Sequence, residues 1–233
     1  MSNQPEARSQ RRIRSFVRRE GRMTDAQRTA LQRHWQRFGV EPGSGPLDTA
    51  DVFGRAAPLH LEIGFGMGDS LLHMALQAPE NNYLGIEVYR PGVGHLLRRL
   101  DECGVENVRL ICADAVEVLE HNIPPGSLAA LYLFFPDPWP KKRHHKRRIV
   151  QPGWIELVRA RLKPAGILHM ATDWEPYAEW MRELMQQAEG WINLGNADGY
   201  ASRPAYRPET KFERRGKRLG HGVRDLIYAR SAE

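Results

Sequence analysis

From Leu59 to Ala188, short apolar runs alternate with stretches of helical period, and no other feature constrains the fold of this 233-residue chain as strongly. LHLEIGF (59–65), YLGIEV (83–88), VRLICA (108–113), LAALYLFF (128–135) and ILHMAT (167–172) read as strands. Between them MGDSLLHMALQA (67–78), GVGHLLRRLDECG (92–104), 115–121, 154–162 and 175–188 read as helices. Strands separated by helices of this length pair in parallel through crossovers, so the pattern predicts βαβ units. The expected fold class is α/β, a mostly parallel sheet with helices on both faces. DLIYAR (225–230) adds a last strand.

The first 58 residues follow a different pattern. Residues 1–23 are polar and rich in Arg, without apolar period, and read as a flexible arm. Thr24 starts a helix with Gln27 three residues on, as in a capping box, and Leu31, Trp35 and Phe38 form a sparse apolar stripe. Residues 39–58, rich in Gly and Pro, read as a linker, so the folded body is expected to begin near Leu59 and to occupy 59–233. The longest apolar stretch, Leu128 to Phe135, is eight residues, far short of the ~20 that span a bilayer. The start of the chain lacks the apolar segment of a secretory signal, and Cys103 and Cys112 form no CxxC pair. These features predict a soluble cytoplasmic protein with no disulfide framework, no structural zinc and no membrane association.

Candidate binding residues collect at the ends of the strands. Glu62-Ile-Gly64-Phe-Gly66-Met-Gly68-Asp69 leaves the first strand and enters the first helix. Glycines there let the backbone approach a ligand above the carboxyl end of the sheet. Where a dinucleotide fingerprint places its third Gly, this sequence has Asp69, and no Tyr-x-x-x-Lys stands downstream, which argues against a nucleotide-linked dehydrogenase. Glu87 ends the second strand, 19 residues after Gly68, where a carboxylate accepts from both ribose hydroxyls. Asp114 ends the third, where it can accept from an exocyclic adenine amine, and Glu62 lies where a ligand's cationic amino group would go. Carboxylates at successive strand ends repel a pyrophosphate. They suit a cationic ligand that carries an adenosine.

The opposite charge is clustered elsewhere. Residues 1–40 carry +7, Lys141 to Arg148 carry +6 and residues 203–218 carry +5, against a net +6 for the whole chain. The remainder is therefore an acidic body of −12 bearing three basic segments. Clustered Lys and Arg point to a polyanion, because each phosphate they neutralise releases condensed counterions. Arg outnumbers Lys 28 to 6, and Arg is the better fork for phosphates and the better plane for bases. The Arg-rich arm at 8–22 is expected to grip the same polyanion.

The fourth strand runs into Phe134-Phe135-Pro136-Asp137-Pro138-Trp139-Pro140-Lys141-Lys142-Arg143-His144-His145-Lys146-Arg147-Arg148. Three prolines fix the backbone around Asp137 and Trp139, as a positioned catalytic residue requires. His144 and His145 lack a third ligand at suitable spacing, so no metal site is expected.

These strings resemble known families. E-x-G-x-G-x-G with Glu87 and Asp114 resembles motifs of the Rossmann-like S-adenosylmethionine-dependent methyltransferases. F-P-D-P-W-P-K-K-R-H resembles the signature of the bacterial tRNA (guanine-N7)-methyltransferases, as do Thr172-Asp173-x-x-x-Tyr177 and Thr210-Lys211-Phe212-Glu213. The resemblance runs from about Leu59 to Arg230. It implies a class I methyltransferase domain that moves the methyl group of S-adenosylmethionine to N7 of guanine 46 in the tRNA variable loop. It further implies Glu62, Gly64, Gly66, Gly68, Glu87 and Asp114 at the cofactor, while the place of Asp137 between two prolines at the substrate end of the fourth strand makes it the expected catalytic residue, also at the cofactor. Lys141, Asp173, Thr210, Lys211, Phe212 and Glu213 would contact the substrate, and Arg143, His144, His145, Lys146, Arg147 and Arg148 the tRNA backbone. The expected partner is tRNA, with no obligate protein partner and a monomer or homodimer.

Overall fold

The computed structural model describes residues 15–16, 21–209, 213 and 222–232. Most of the expected arm, residues 1–14 and 17–20, lies outside them. The first helix, α1 (Asp25–Phe38), opens on a capping box: Gln27 N donates to Thr24 Oγ1 at 3.3 Å while Thr24 N donates to Gln27 Oε1 at 2.9 Å. α1 is part of the body rather than a prelude to it. Phe38 is fully buried, and Val40 N donates to Leu110 O at 2.8 Å, which continues the sheet edge. Within 39–58, expected to be linker throughout, α2 (Thr49–Phe53) forms because the Asp48 carboxylate accepts from Ala50 N and Asp51 N. Gly and Pro around it mask that cap in the sequence.

The described strands form one sheet in the order β3-β2-β1-β4-β5-β7-β6. β1 (Leu59–Ile63), β2 (Asn82–Ile86), β3 (Val108–Ile111), β4 (Leu128–Phe134) and β5 (Leu162–Thr172) pair in parallel. β7 (Arg224–Arg230) is antiparallel and lies between β5 and β6 (Trp191–Asn193). The crossovers are α3 (Asp69–Gln77), α4 (Arg90–Glu102), α5 (Ala115–His121) and α6 (Pro152–Arg161), and α7 (Glu175–Gln187) follows β5. The expected α/β class with helices on both faces is what forms. Two elements differ from expectation. β5 starts at Leu162, five residues before the expected start at Ile167, so Lys163, Pro164 and Gly166 lie within the strand. β6 is three residues long with no apolar alternation, and its pairing with β7 is what makes it a strand.

The core divides by side-chain parity. Successive residues of a strand face opposite ways, so Leu131 and Leu133 of β4 join the cluster under α5, α6 and α7, with Val118, Ile155 and Met181. Ala130, Tyr132 and Phe134 join the other, with Leu71, Val93, Leu96 and α1's Phe38. The strand order reverses between β1 and β4. A crevice opens at such a switch point beyond the carboxyl ends of the strands.

Candidate active site

The glycine turn after β1 fits the sequence expectation in its geometry. Gly64, Gly66 and Gly68 take φ of 71°, 58° and 84°, left-handed values that side chains rarely adopt. The turn is held from β2: Glu87 Oε2 accepts from Gly66 N at 2.8 Å, and Oε1 accepts from Val88 N and Tyr89 N at 2.7 and 3.0 Å. Gly92 of α4 packs so near that a Cβ there would collide with the Gly66 carbonyl oxygen. Glu87 thus fixes the loop in addition to any contact with a ribose.

Glu62 is 2% exposed. Its Oε1 accepts from Ser70 Oγ, and its Oε2 is buried without a hydrogen-bond partner. Burial pushes its carboxyl up to about 7; the Ser70 hydroxyl opposes the rise and the negative charge of Glu87 adds to it. A buried orphan oxygen is costly unless a ligand supplies the missing donor. A cationic amino group is the donor such a carboxylate suits. Asp114 is half-buried and caps α5, its Oδ1 accepting from Val116 N at 3.0 Å.

Across the crevice, after β4, Phe135 and Trp139 have φ of 53° and 45°, conformations that cost non-glycine residues energy and collect at functional sites. They bracket Asp137, which is exposed. Strain on either side of it and prolines at 136, 138 and 140 leave Asp137 little conformational freedom. Trp139 is gripped in turn: Arg147 lies over its ring at 5.1 Å, His144 meets it edge-on at 5.9 Å, and its Nε1 donates to the Ser15 carbonyl at 3.2 Å.

The basic run folds as a short 3-10 turn, Lys142–Arg147. Lys141, Lys142, Arg143 and Lys146 are exposed, while His144, His145 and Arg147 are half-buried. Arg148 departs from the expectation of a phosphate contact. It is 3% exposed, its Nε donates to the Pro138 carbonyl at 3.0 Å, and its guanidinium lies over Tyr177 and Trp180. It braces the Asp137 turn from below. Among the described residues, no group of three or more His, Cys, Asp or Glu is placed to hold a metal.

A cleft of about 220 Å³ lies between the glycine turn and the Asp137 turn. Gly64, Glu87 and Asp137 line it, and so do Ser15 and Phe16 of the arm. Asp114 lines the adjoining cleft with Lys146 and Arg147. Glu62 lies behind the lining, next to Ile63. Asp173 is exposed at the end of β5. Thr210, Lys211 and Phe212 lie outside the described residues. Glu213 is described, and it is buried.

The sequence gives no sign of what holds Glu213. Arg207, 0% exposed, donates from Nη1 and Nη2 to Glu213 at 2.7 and 3.3 Å, and from Nε and Nη2 to Asp225 at 2.6 and 2.9 Å. Asp225 also bonds His169 Nε2 at 2.8 Å, and the Tyr206 hydroxyl lies 3.0 Å from His169 Nδ1. Burial alone would favour neutral Arg207, but its bonds to Glu213 and Asp225 outweigh that and hold it charged. Burial holds His169 below its usual range and so neutral, against the pull of Asp225.

A family profile described as "Putative methyltransferase" matches residues 56–226. A protein from Alcanivorax borkumensis, described as a tRNA (guanine-N(7)-)-methyltransferase, is 57% identical over 222 residues, covering 95% of this chain and 93% of its own. Relatives so described from Aeromonas hydrophila and Cronobacter sakazakii are each 59% identical over 220 residues, covering 94% of this chain and 93% and 92% of their own. This chain belongs to the tRNA (guanine-N7)-methyltransferase family. The family's fold extends well beyond these relatives. The 16S rRNA methyltransferase KamB aligns with TM-score 0.55 at 16% identity, over 94% of this chain and 99% of its own. An rRNA methylase from Streptococcus thermophilus aligns at 0.52 with 13% identity, over 75% and 87%. Identities this low speak for the fold alone, the Rossmann-like sheet of class I methyltransferases.

Proposed function

We propose that this chain methylates N7 of guanine 46 in the variable loop of tRNA, with S-adenosyl-L-methionine as the donor, in the cytoplasm. One observation carries the reading: a single cleft is lined on one side by Gly64 and Glu87 and on the other by Asp137, on a turn that leads directly into the basic run. The relatives' shared description supplies the base and the atom.

The cofactor, when bound, supplies an electrophilic methyl group on a sulfonium centre. Glu62 takes its cationic amino group, Glu87 its ribose and Asp114 its adenine amine, while Gly64, Gly66 and Gly68 let the backbone close on it. Guanine N7 carries a free lone pair at neutral pH, so no proton has to leave before attack. Proximity, in-line alignment and charge placement therefore carry the catalysis. Asp137 accepts from guanine N1–H and N2–H, which selects the base and stabilises the positive charge that grows on the purine. Lys141 and Asp173 flank the base, and the exposed cations Lys142, Arg143 and Lys146 hold the RNA backbone.

The test is incubation with labelled S-adenosylmethionine and unmodified tRNA, followed by chain cleavage at 7-methylguanosine. Label at guanine 46 supports the reading, and label at another nucleotide, or none, overturns it. Asp137→Ala should lower the single-turnover rate at saturating ligands by roughly a hundredfold or more, the scale of losing a transition-state interaction. An unchanged rate would remove Asp137 from that role.

A further inference from the structure

The family resemblance assigns Glu213 to the substrate, yet both of its carboxylate oxygens are bound by Arg207 and its side chain is 3% exposed. A side chain so placed has little surface left for a tRNA. What Arg207 touches suggests another role. Its guanidinium bridges Glu213 and Asp225 and lies over the Phe135 ring at 5.7 Å. Phe135 is the strained residue two positions before Asp137. Asp225 pairs with His169 on β5, the strand that ends at Thr172 just before Asp173. Two of the three sequence blocks that resemble the family, those of Phe135 and Glu213, therefore touch a single buried hub, and the third begins at Thr172, the last residue of the strand that carries His169.

Resting on the function proposed above, we propose that Arg207 is a positioning residue: it ties Glu213, Asp225 and Phe135 together and so holds the turn that carries Asp137. Glu213 acts through Arg207 rather than on the substrate. The geometry requires the fork of an arginine. Its nitrogens reach two carboxylates on different segments, and the compact ammonium of a lysine cannot do so from one place. Lysine at this position keeps the charge and loses the alignment.

The experiment compares the full-length wild type with Arg207→Lys, Glu213→Gln and the double variant. It reads melting temperature, S-adenosylmethionine Kd and single-turnover N7 methylation at saturating tRNA. The expected result is a cofactor Kd within twofold of wild type in all three variants. The methylation rate falls at least tenfold in each single variant, and the double variant is within threefold of the worse single. Three results would overturn the proposal. The first is methylation by Arg207→Lys within threefold of wild type. The second is multiplication of the two single-variant effects in the double, which would make Glu213 an independent substrate contact. The third is a decline of cofactor binding or folding in step with activity in both singles, which would make the hub purely structural. The wild type separates this from the broader reading: no 7-methylguanosine from the wild type sinks both proposals, whereas a working wild type with neutral variants sinks only this one.

Discussion

Glu87 accepts the Gly66 N–H at 2.8 Å, so the carboxylate at the end of β2 shapes the loop at the end of β1 before any ligand arrives. The same side chain receives two more backbone N–H groups, from Val88 and Tyr89. Glu87→Ala leaves these donors without their acceptor. It should destabilise the free protein by about 1–3 kcal/mol, read by denaturant unfolding. Cofactor binding should weaken as well. A variant with wild-type stability would show that the loop holds itself.

Glu62 gives a pH dependence of definite sign. Its folded-state pKa of about 7 lies above the ordinary carboxylate value of 4.5, so the folded protein keeps a proton that the unfolded chain releases between those values. Stability from this group is fully present below pH 4.5 and is lost as pH rises through 7, a swing of about 3 kcal/mol at roughly 1.4 kcal/mol per unit. Glu62→Gln should flatten that slope in unfolding measurements. Binding runs the other way, because a cationic amino group needs the ionised carboxylate. Cofactor affinity should fall below pH 7, by up to about tenfold per unit, with a proton released on binding at pH 6 that calorimetry in buffers of different ionisation enthalpy detects.

Gly92→Ala tests the approach of α4 to the glycine loop. A Cβ at this position collides with the Gly66 carbonyl oxygen, which is backbone and cannot rotate away. Overpacking of this kind costs about 1–3 kcal/mol. The melting temperature should fall and cofactor affinity should fall with it, whereas Gly153→Ala, with open space around its Cβ position, should disturb neither.

The basic run should divide by burial. Replacing exposed Lys142, Arg143 and Lys146 with Ala should lower the slope of log affinity for tRNA against log salt by about 0.7–0.9 for each phosphate that is no longer neutralised. Cofactor Kd should not move. Arg148→Ala should leave the salt slope unchanged and instead reduce stability and methylation, because Arg148 supports the Pro138 carbonyl and packs on Tyr177 and Trp180.

Local signals were legible in the sequence and long-range ones were not. The Thr24 and Gln27 box, the left-handed glycines and the strand-end carboxylates depend on near neighbours, and periodicity or spacing exposes them. The antiparallel insertion of β7 depends on partners at a distance, such as Ala171 opposite Asp225, and DLIYAR carries no mark of direction. Arg207 sits in a basic segment that composition assigns to solvent, and only its two buried carboxylates reveal otherwise. Arg148 belongs to the same kind of run and is inside for a similar reason: aromatic faces and a carbonyl await it. The Phe135 and Trp139 conformations are invisible in residue type, since neither residue favours them.

The position of β7 bears on how the protein is made. A chain still on the ribosome can pair β1 to β5 as they emerge, but β6 has no strand to pair with until residues 224–230 have been synthesised. Until then β5 presents an open edge, His169 waits for Asp225, and Arg207 has one carboxylate instead of two. The nascent protein therefore cannot assemble its hub early, and a truncation before Arg224 would remove an interior strand rather than a tail.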